Sequence, residues 1–381
     1  MQVYSGIDLH SNNSVVVLTD ELDRVLYGRR LPNKLEEILA ALEPHRAELV
    51  GVVVEATYNW YWLVDGLQAA GYPVHLAHPG ANKPYSGLKR RDDFSDAQHL
   101  ARLLRLGILR TGYICPVAQR RARDLARRRM QLVRSRTAHV LAVENVMARE
   151  TGARLAANEV KGLSVEQVKE FGFDPDVSCG VQANAAVIRT LNQEIRRLER
   201  RLHQCVRLRP QFAALSSVPG IGCTLATIIM LETGSIERFA GVGNYASYAR
   251  CVDSLHSSNN KKKGEGNVRN GNKYLAWAFI EAANGALRFC PQAKRFYDRK
   301  RARTNKIIAR KAVAHKLARA CYHMLKSGER FDVKRCFAPH AEAPRASMAG
   351  CDKAPHPATR ERKCRVRRVK GSLRRAGGAR P

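Results

Sequence analysis

An α/β domain at the N-terminus followed by a largely α-helical remainder is the architecture this sequence predicts. Three observations carry the expectation. β-Branched and aromatic residues crowd three short runs within the first 31 positions, strand and helix patterns then alternate to about position 110, and beyond Val117 the apolar residues fall at helical spacing. With 381 residues and 45% hydrophobic content the chain has material for two or three domains.

The expected strands are Val3 to Leu9, Ser14 to Thr19 and Val25 to Leu31, joined by polar turns at 10–13 and 20–23 that suit antiparallel hairpins. Asn33 is expected to cap a helix running to about Leu42. A buried strand follows at Leu49 to Glu55, a helix at about Trp60 to Ala70, a strand at Pro73 to Ala77, and a helix through Ala97 to Leu106. Three hairpin strands followed by α/β units match the RNase H-like arrangement, which is the fold expected for residues 1–112.

From 113 to 210 a helical, arginine-rich segment is expected. Arg120, Arg121, Arg123, Arg127, Arg128, Arg129, Arg134 and Arg136 crowd into little more than four turns, beside an apolar stripe of Leu125, Leu132, Val133, Val140 and Leu141. Such a face is either a solvated surface or a phosphate contact, and its shortage of acids favours the second. Ile188, Leu191, Ile195, Leu198, Leu202 and Cys205 alternate spacings of three and four, the signature of a coiled coil, either between copies or within one chain.

Residues 211–332 are expected to form a mostly α-helical domain. It opens with Pro219-Gly220-Ile221-Gly222 before an apolar helix from Leu225 to Leu231; such a turn exposes backbone N–H groups to a phosphate or merely connects helices. A polar loop, His256-Ser257-Ser258-Asn259-Asn260-Lys261-Lys262-Lys263, then sets hydroxyls beside concentrated positive charge. Residues 333–381 read as a disordered basic tail.

Charge narrows the function. Against 66 Lys+Arg stand only 34 Asp+Glu, a formal net charge of +32, which suits a polyanionic partner such as nucleic acid. No apolar run approaches the roughly 20 residues of a membrane span, and no signal-peptide pattern precedes the first strand, so a cytosolic protein is expected. Ten dispersed cysteines form neither a disulfide framework nor a zinc pattern. In so basic a chain, clustered acids ask for a reason. Asp8 and Glu55 end strand runs, and Asp93 and Asp96, three apart at a helix start, share one face. Singly each has a structural reading, and Asp93 or Asp96 can serve as a helix cap. Together they form a set of hard oxygen donors suited to Mg²⁺ and to phosphodiester chemistry.

On these residues the chain resembles the IS110-family transposases, of the IS1111-like branch, over about residues 3–331. The resemblance implies a RuvC-like domain whose D-E-D-D tetrad is Asp8, Glu55, Asp93 and Asp96, binding Mg²⁺. It implies a transposase domain opening at the Pro219–Gly222 turn, with Ser258 as nucleophile, Ser257 standing one place away. From the basic helix, the lysine cluster and the glycine turn, Arg120, Arg121, Arg127, Arg128, Lys261, Lys262, Lys263, Gly220 and Gly222 are the expected nucleic-acid contacts. The implied partners are donor and target DNA, a structured bridge RNA that selects sites by base pairing, and further copies of the chain as a dimer or tetramer, in the cytoplasm at the bacterial nucleoid. Two departures stand out: Asn259 and Asn260 replace the usual glycines, and Arg250-Cys251-Val252-Asp253 replaces a Gly-Leu-x-Pro run. Asn tolerates positive φ better than most residues, which preserves the loop. A RuvC-type nuclease without serine chemistry is the alternative reading.

Overall fold

Alternation of β-branched residues builds a five-stranded sheet from β1 (Val3–Leu9), β2 (Asn13–Thr19), β3 (Val25–Pro32), β4 (Leu49–Glu55) and β5 (Val74–Ala77). The computed structural model describes residues 1–82, 92–264 and 270–337; of the tail expected from 333, residues 333–337 form a helix whose Phe337 packs into the core, and 338–381 lie outside the described residues, as does the Lys262 side chain. The strand order is β3-β2-β1-β4-β5. The two hairpin pairings are antiparallel, whereas β4 lies parallel to both β1 and β5.

Period two divides the apolar residues between two faces. Ile7, Leu9, Val16, Leu18, Val52 and Val54 pack beneath the helices α1 (Leu35–Leu42) and α2 (Tyr61–Ala69). Their neighbours Val15, Val17 and Val53 point the other way, against Ala97 and Leu100 of the helix α3 (Asp93–Arg105). Every residue of β1 is therefore buried. Gly6 makes this closeness possible: a Cβ there would sit 1.9 Å from the Ala97 carbonyl oxygen, so only glycine lets α3 lie directly on β1.

Two capping expectations are corrected. Asn33 does not cap α1; Lys34 holds that position without a side-chain cap. Instead the Asn33 amide donates to the His10 carbonyl (3.0 Å) while its oxygen accepts from the Ser14 hydroxyl (2.7 Å). The cap of α3 is Asp92, whose side chain accepts from the Ser95 N–H (2.7 Å) and whose own N–H donates to Ser95 Oγ (3.0 Å). Asp93 and Asp96 are thereby released from capping and carry their carboxylates in the first turn.

The remainder is helical. α4 (Val117–Thr151) and α7 (Pro175–Val206) flank the short α5 (Ala157–Gly162) and α6 (Val165–Lys169). Partners run in opposite senses along the pair, Arg129 with Glu199, Arg136 with Asn192 and His139 with Asn184, so α4 and α7 form an antiparallel hairpin within one chain. The heptad stripe is spent there: Ile188, Ile195 and Leu202 are buried. The hairpin's base enters a second core formed by α8 (Pro210–Ser216), α9 (Cys223–Thr233), α10 (Val242–Tyr248), α11 (Lys273–Phe289), α12 (Pro291–Arg303), α13 (Lys306–Ser327) and α14 (Val333–Phe337). Two strands interrupt this helical domain, β6 (His256–Ser258) and β7 (Lys261–Gly264), where the sequence suggested only a loop.

Candidate functional site

Strand parity sets Asp8 and Glu55 on one face of the sheet, although Glu55 and Asp96 are not among the ligand atoms that converge within 4.8 Å, which are those of Asp8, His10 and Asp93. Gly6 faces α3, so Asp8, two residues on, faces it too, and Val53 sets Glu55 on the same side. The parallel register of β1 on β4 ends with Ile7 paired to Val54, one residue before Asp8 and Glu55. Above them the first turn of α3 presents Asp93 and Asp96. Buried to 7% exposure, Asp8 has a carboxyl that burial pushes upward; His10 pulls it down, and the charges of Asp93 and Asp96 push it further up. Asp93 moves the opposite way, held below the usual carboxylate range chiefly by its hydrogen bond from Arg30.

Two residues that sequence reasoning passed over complete this end of the sheet. Arg30, on β3, donates to Asp93 Oδ2 (2.5 Å) and to Asn13 Oδ1 (2.8 Å). His10 Nε2 lies 3.3 Å from Asp8 Oδ2 and 3.2 Å from Asp93 Oδ2. One signal was available, since His10 stands two places after Asp8 at the strand end. Nothing marked Arg30, which comes from 63 residues away. Ligand atoms of Asp8, His10 and Asp93 all lie within 4.8 Å of one another, and His10 Nε2 is buried without an aligned hydrogen bond. Close carboxylates beside an orphaned ring nitrogen fit a divalent cation. At the far end of α3, Arg105 makes two bonds to Asp23 (2.8 and 2.7 Å), fixing the helix against the sheet.

The serine sits in the second domain on a two-residue hairpin. Ser258 pairs with Lys261, and the turn residues Asn259 and Asn260 have φ of 51° and 55°. Positive φ at both central positions is the twist-matched hairpin turn, which Asn enters more readily than any other non-glycine residue. Ser257, Ser258, Lys261 and Lys263 are exposed. The base of this excursion is clamped. Arg250 donates to the Gly271 carbonyl (3.1 and 2.9 Å), the Asn272 N–H to the Tyr248 carbonyl (2.6 Å), and Lys311 to Asp253 (2.5 Å).

A buried acid ties this clamp to the arginine-rich helix. Glu232, 4% exposed in the otherwise apolar α9, accepts two bonds from Arg127 (2.7 Å each) and one from the Asn272 amide (2.7 Å). Burial works to lower the Arg127 pKa, but the bond to Glu232 carries it above the ordinary arginine value. Asn272 meanwhile caps α11 through the Tyr274 and Leu275 N–H groups. The sequence signal was a lone acid inside an apolar helix.

Each expected nucleic-acid contact has a definite place. Arg120 is 3% exposed, paired with Asp65 and stacked 4.1 Å from the Tyr61 ring, so it joins α4 to the sheet domain. Arg127 belongs to the Glu232 network, whereas Arg121 and Arg128 face solvent. Arg127, Arg128, Gln131, Arg134, Asp124 and Tyr274 line a cavity of about 290 Å³. Gly220 serves packing: with φ of 93°, its absent Cβ would fall 2.3 Å from the Ala286 nitrogen on α11. Gly222 is the open N-cap of α9, without a side-chain cap. Among the described residues no helix is long and apolar enough to cross a membrane.

Comparison with known proteins places the chain. A DEDD transposase model of IS110 elements, described as "Transposase", matches residues 5–150. A second model, "Transposase IS116/IS110/IS902 family", matches residues 213–298. The chain is 26% identical over 291 residues to the transposase for insertion sequence element IS1111A of Coxiella burnetii, covering 74% of this chain and 77% of that one. A probable family 20 transposase of Pseudomonas aeruginosa is 24% identical over 291 residues, covering 75% and 84%. A putative transposase of Sinorhizobium fredii is 26% identical over 293 residues, covering 72% of each chain. The sheet domain with its acids and the helical domain with its serine hairpin thus fall, in order, under the two halves of one family, and the chain belongs to the IS110-family transposases, enzymes that move DNA.

Proposed function

We propose that this transposase cuts and rejoins the DNA of an insertion sequence through two centres, a divalent-metal centre on Asp8, Glu55, Asp93 and Asp96 and a serine nucleophile, Ser258. The observation that carries the reading is strand parity: Asp8 and Glu55 share the face over which α3 presents Asp93 and Asp96. The strand order β3-β2-β1-β4-β5, antiparallel then parallel, supports an RNase H-like (RuvC-like) domain over residues 1–112. A helical linker over 113–210, a transposase domain over 211–332 and a basic tail complete the proposed organisation.

The ion proposed for the centre is Mg²⁺, which when bound stabilises negative charge developing on the phosphate. The protein's own groups do the rest. Ser258 Oγ forms a bond to phosphorus as its proton passes to a neighbouring base or solvent, the bond from phosphorus to the deoxyribose oxygen breaks, and that oxygen takes a proton from solvent to leave as a hydroxyl. The resulting phosphoserine ester keeps the energy of the broken bond, so reversal by a second strand's hydroxyl rejoins DNA. Lys261, Lys262 and Lys263 lie next in sequence and supply positive charge to the phosphate. Site choice is assigned to a structured bridge RNA whose backbone the basic surface holds, in a homo-oligomer acting at the bacterial nucleoid.

A nicked suicide substrate that blocks rejoining tests the reading. A covalent protein–DNA adduct mapping to Ser258 is expected, lost in Ser258→Ala and retained in Ser257→Ala. DNA cleavage without any adduct would select a RuvC-type nuclease instead.

A further inference from the structure

The carboxylate centre contains a donor that a four-acid pattern does not specify. His10 Nε2 is within 3.3 Å of an oxygen of Asp8 and 3.2 Å of an oxygen of Asp93, yet its N–H aligns with neither. An ordinary histidine–carboxylate ion pair would turn the N–H onto one oxygen. Here the nitrogen sits between two oxygens at nearly equal distance. Two donors bound to one cation at about 2.1 Å lie about 3.0 Å apart at right angles and about 3.4 Å apart at the tetrahedral angle. Both separations from His10 fall between those limits, and the ligand atoms of all three residues lie within 4.8 Å of one another, a spacing that one ion can bridge.

The backbone of His10 is built to stay there. Its N–H donates to the Asn13 carbonyl (2.9 Å), and its carbonyl accepts from the side chains of Asn33 (3.0 Å) and Asn59 (2.8 Å). Those amides come from the segments that follow β3 and β4, so three parts of the fold converge on one peptide. A solvated turn histidine has no need of such fixing. A ligand has, because its nitrogen must be placed before the ion arrives.

We infer that His10 is a nitrogen ligand of the metal centre, which makes it a mixed nitrogen and oxygen site that accepts Mn²⁺ as well as Mg²⁺ and holds Mn²⁺ the more tightly. The inference rests on the proposed metal centre and adds to it the identity of a ligand and the class of ion. Mg²⁺ dehydrates reluctantly and favours oxygen donors, whereas imidazole binds first-row transition ions well. Removing the nitrogen is expected to weaken Mn²⁺ binding by roughly tenfold or more, by analogy with the losses seen when metal-site partners are removed. Mg²⁺ binding should change far less.

Pulsed electron paramagnetic resonance on the full-length protein loaded with Mn²⁺ alone is the test, and it needs no turnover. Wild-type protein should show coupling of Mn²⁺ to a histidine nitrogen that shifts on ¹⁵N-histidine labelling. His10→Ala, still folded by circular dichroism, should lose the coupling and bind Mn²⁺ more weakly by calorimetry. Mn²⁺ bound at the centre without nitrogen coupling in the wild type overturns the inference while leaving the carboxylate centre standing. Coupling that persists in a folded His10→Ala overturns it too. If Mn²⁺ binding is absent, or indifferent to Asp8→Asn, the metal reading itself fails and takes this inference with it. The wild-type spectrum decides the question even where the variant does not fold.

Discussion

Glu232 shows how one residue joins distant parts of this enzyme. It holds Arg127 of α4 and Asn272 at the start of α11, so its loss strands a guanidinium and an amide in partly buried surroundings. Breaking a buried pair from one side costs about 3–5 kcal/mol, and because Arg127 is partly open to solvent the lower end applies. Glu232→Ala should therefore lower the denaturant midpoint by an amount equal to about 3 kcal/mol. The double variant Glu232→Leu/Arg127→Met should recover much of that loss. Equal midpoints for wild type and Glu232→Ala would remove the network from the account of stability. At this scale Asp8, Glu55, Asp93 and Asp96 could be picked out as candidates because strand ends and a helix start are marked along the chain. His10 and Arg30 could not, because an ordinary turn histidine and an ordinary strand arginine gain meaning only from Asp93 across the fold.

The elements explain which charges remain available. Arginine density in α4 was visible from the start, but density does not tell which way a helix faces. Once α4 lies against the sheet domain on one side and α7 on another, Arg120, Arg127 and Arg129 meet Asp65, Glu232 and Glu199, while Arg121, Arg128 and Arg134 stay outside. The serine hairpin was harder to read. Its strands are three and four residues long and polar, so no hydrophobic alternation marks them, and the turn depends on two left-handed asparagines. A β-branched residue in that conformation costs about 1–2 kcal/mol more than glycine. Asn260→Gly should accordingly keep adduct formation at wild-type level, whereas Asn259→Val/Asn260→Val should reduce it by at least tenfold with the melting temperature little changed. An unimpaired double valine variant would show that hairpin geometry does not matter to the reaction.

For the molecule as a whole, the chain divides after Phe337. Residues 1–337 form a unit of their own, and the segment after it carries twelve Lys/Arg against three acids. A chain cut after Phe337 should melt as the full chain does but bind non-specific duplex DNA more weakly. The logarithm of its affinity should also fall less steeply with the logarithm of salt, because fewer counterions are released. Identical salt slopes would mean that the tail does not touch DNA. The division between an α/β half and a helical half was legible because periods of two and of 3.6 leave different marks. The antiparallel path of α4 and α7 was not, since a heptad stripe looks the same whether its partner is another chain or the same one.

That paired arm sets a length. At 1.5 Å per residue the 35 residues of α4 reach about 52 Å, the span of about 15 base pairs at 3.4 Å each. Near one end Arg127 holds Glu232, which in turn holds Asn272 at the base of the segment carrying the serine hairpin, and the other end stops at the turn after Thr151. A rigid rod of fixed length with one end anchored is a ruler. A duplex lying along it would have its distance from the reacting phosphate measured in whole base pairs, before any base is read.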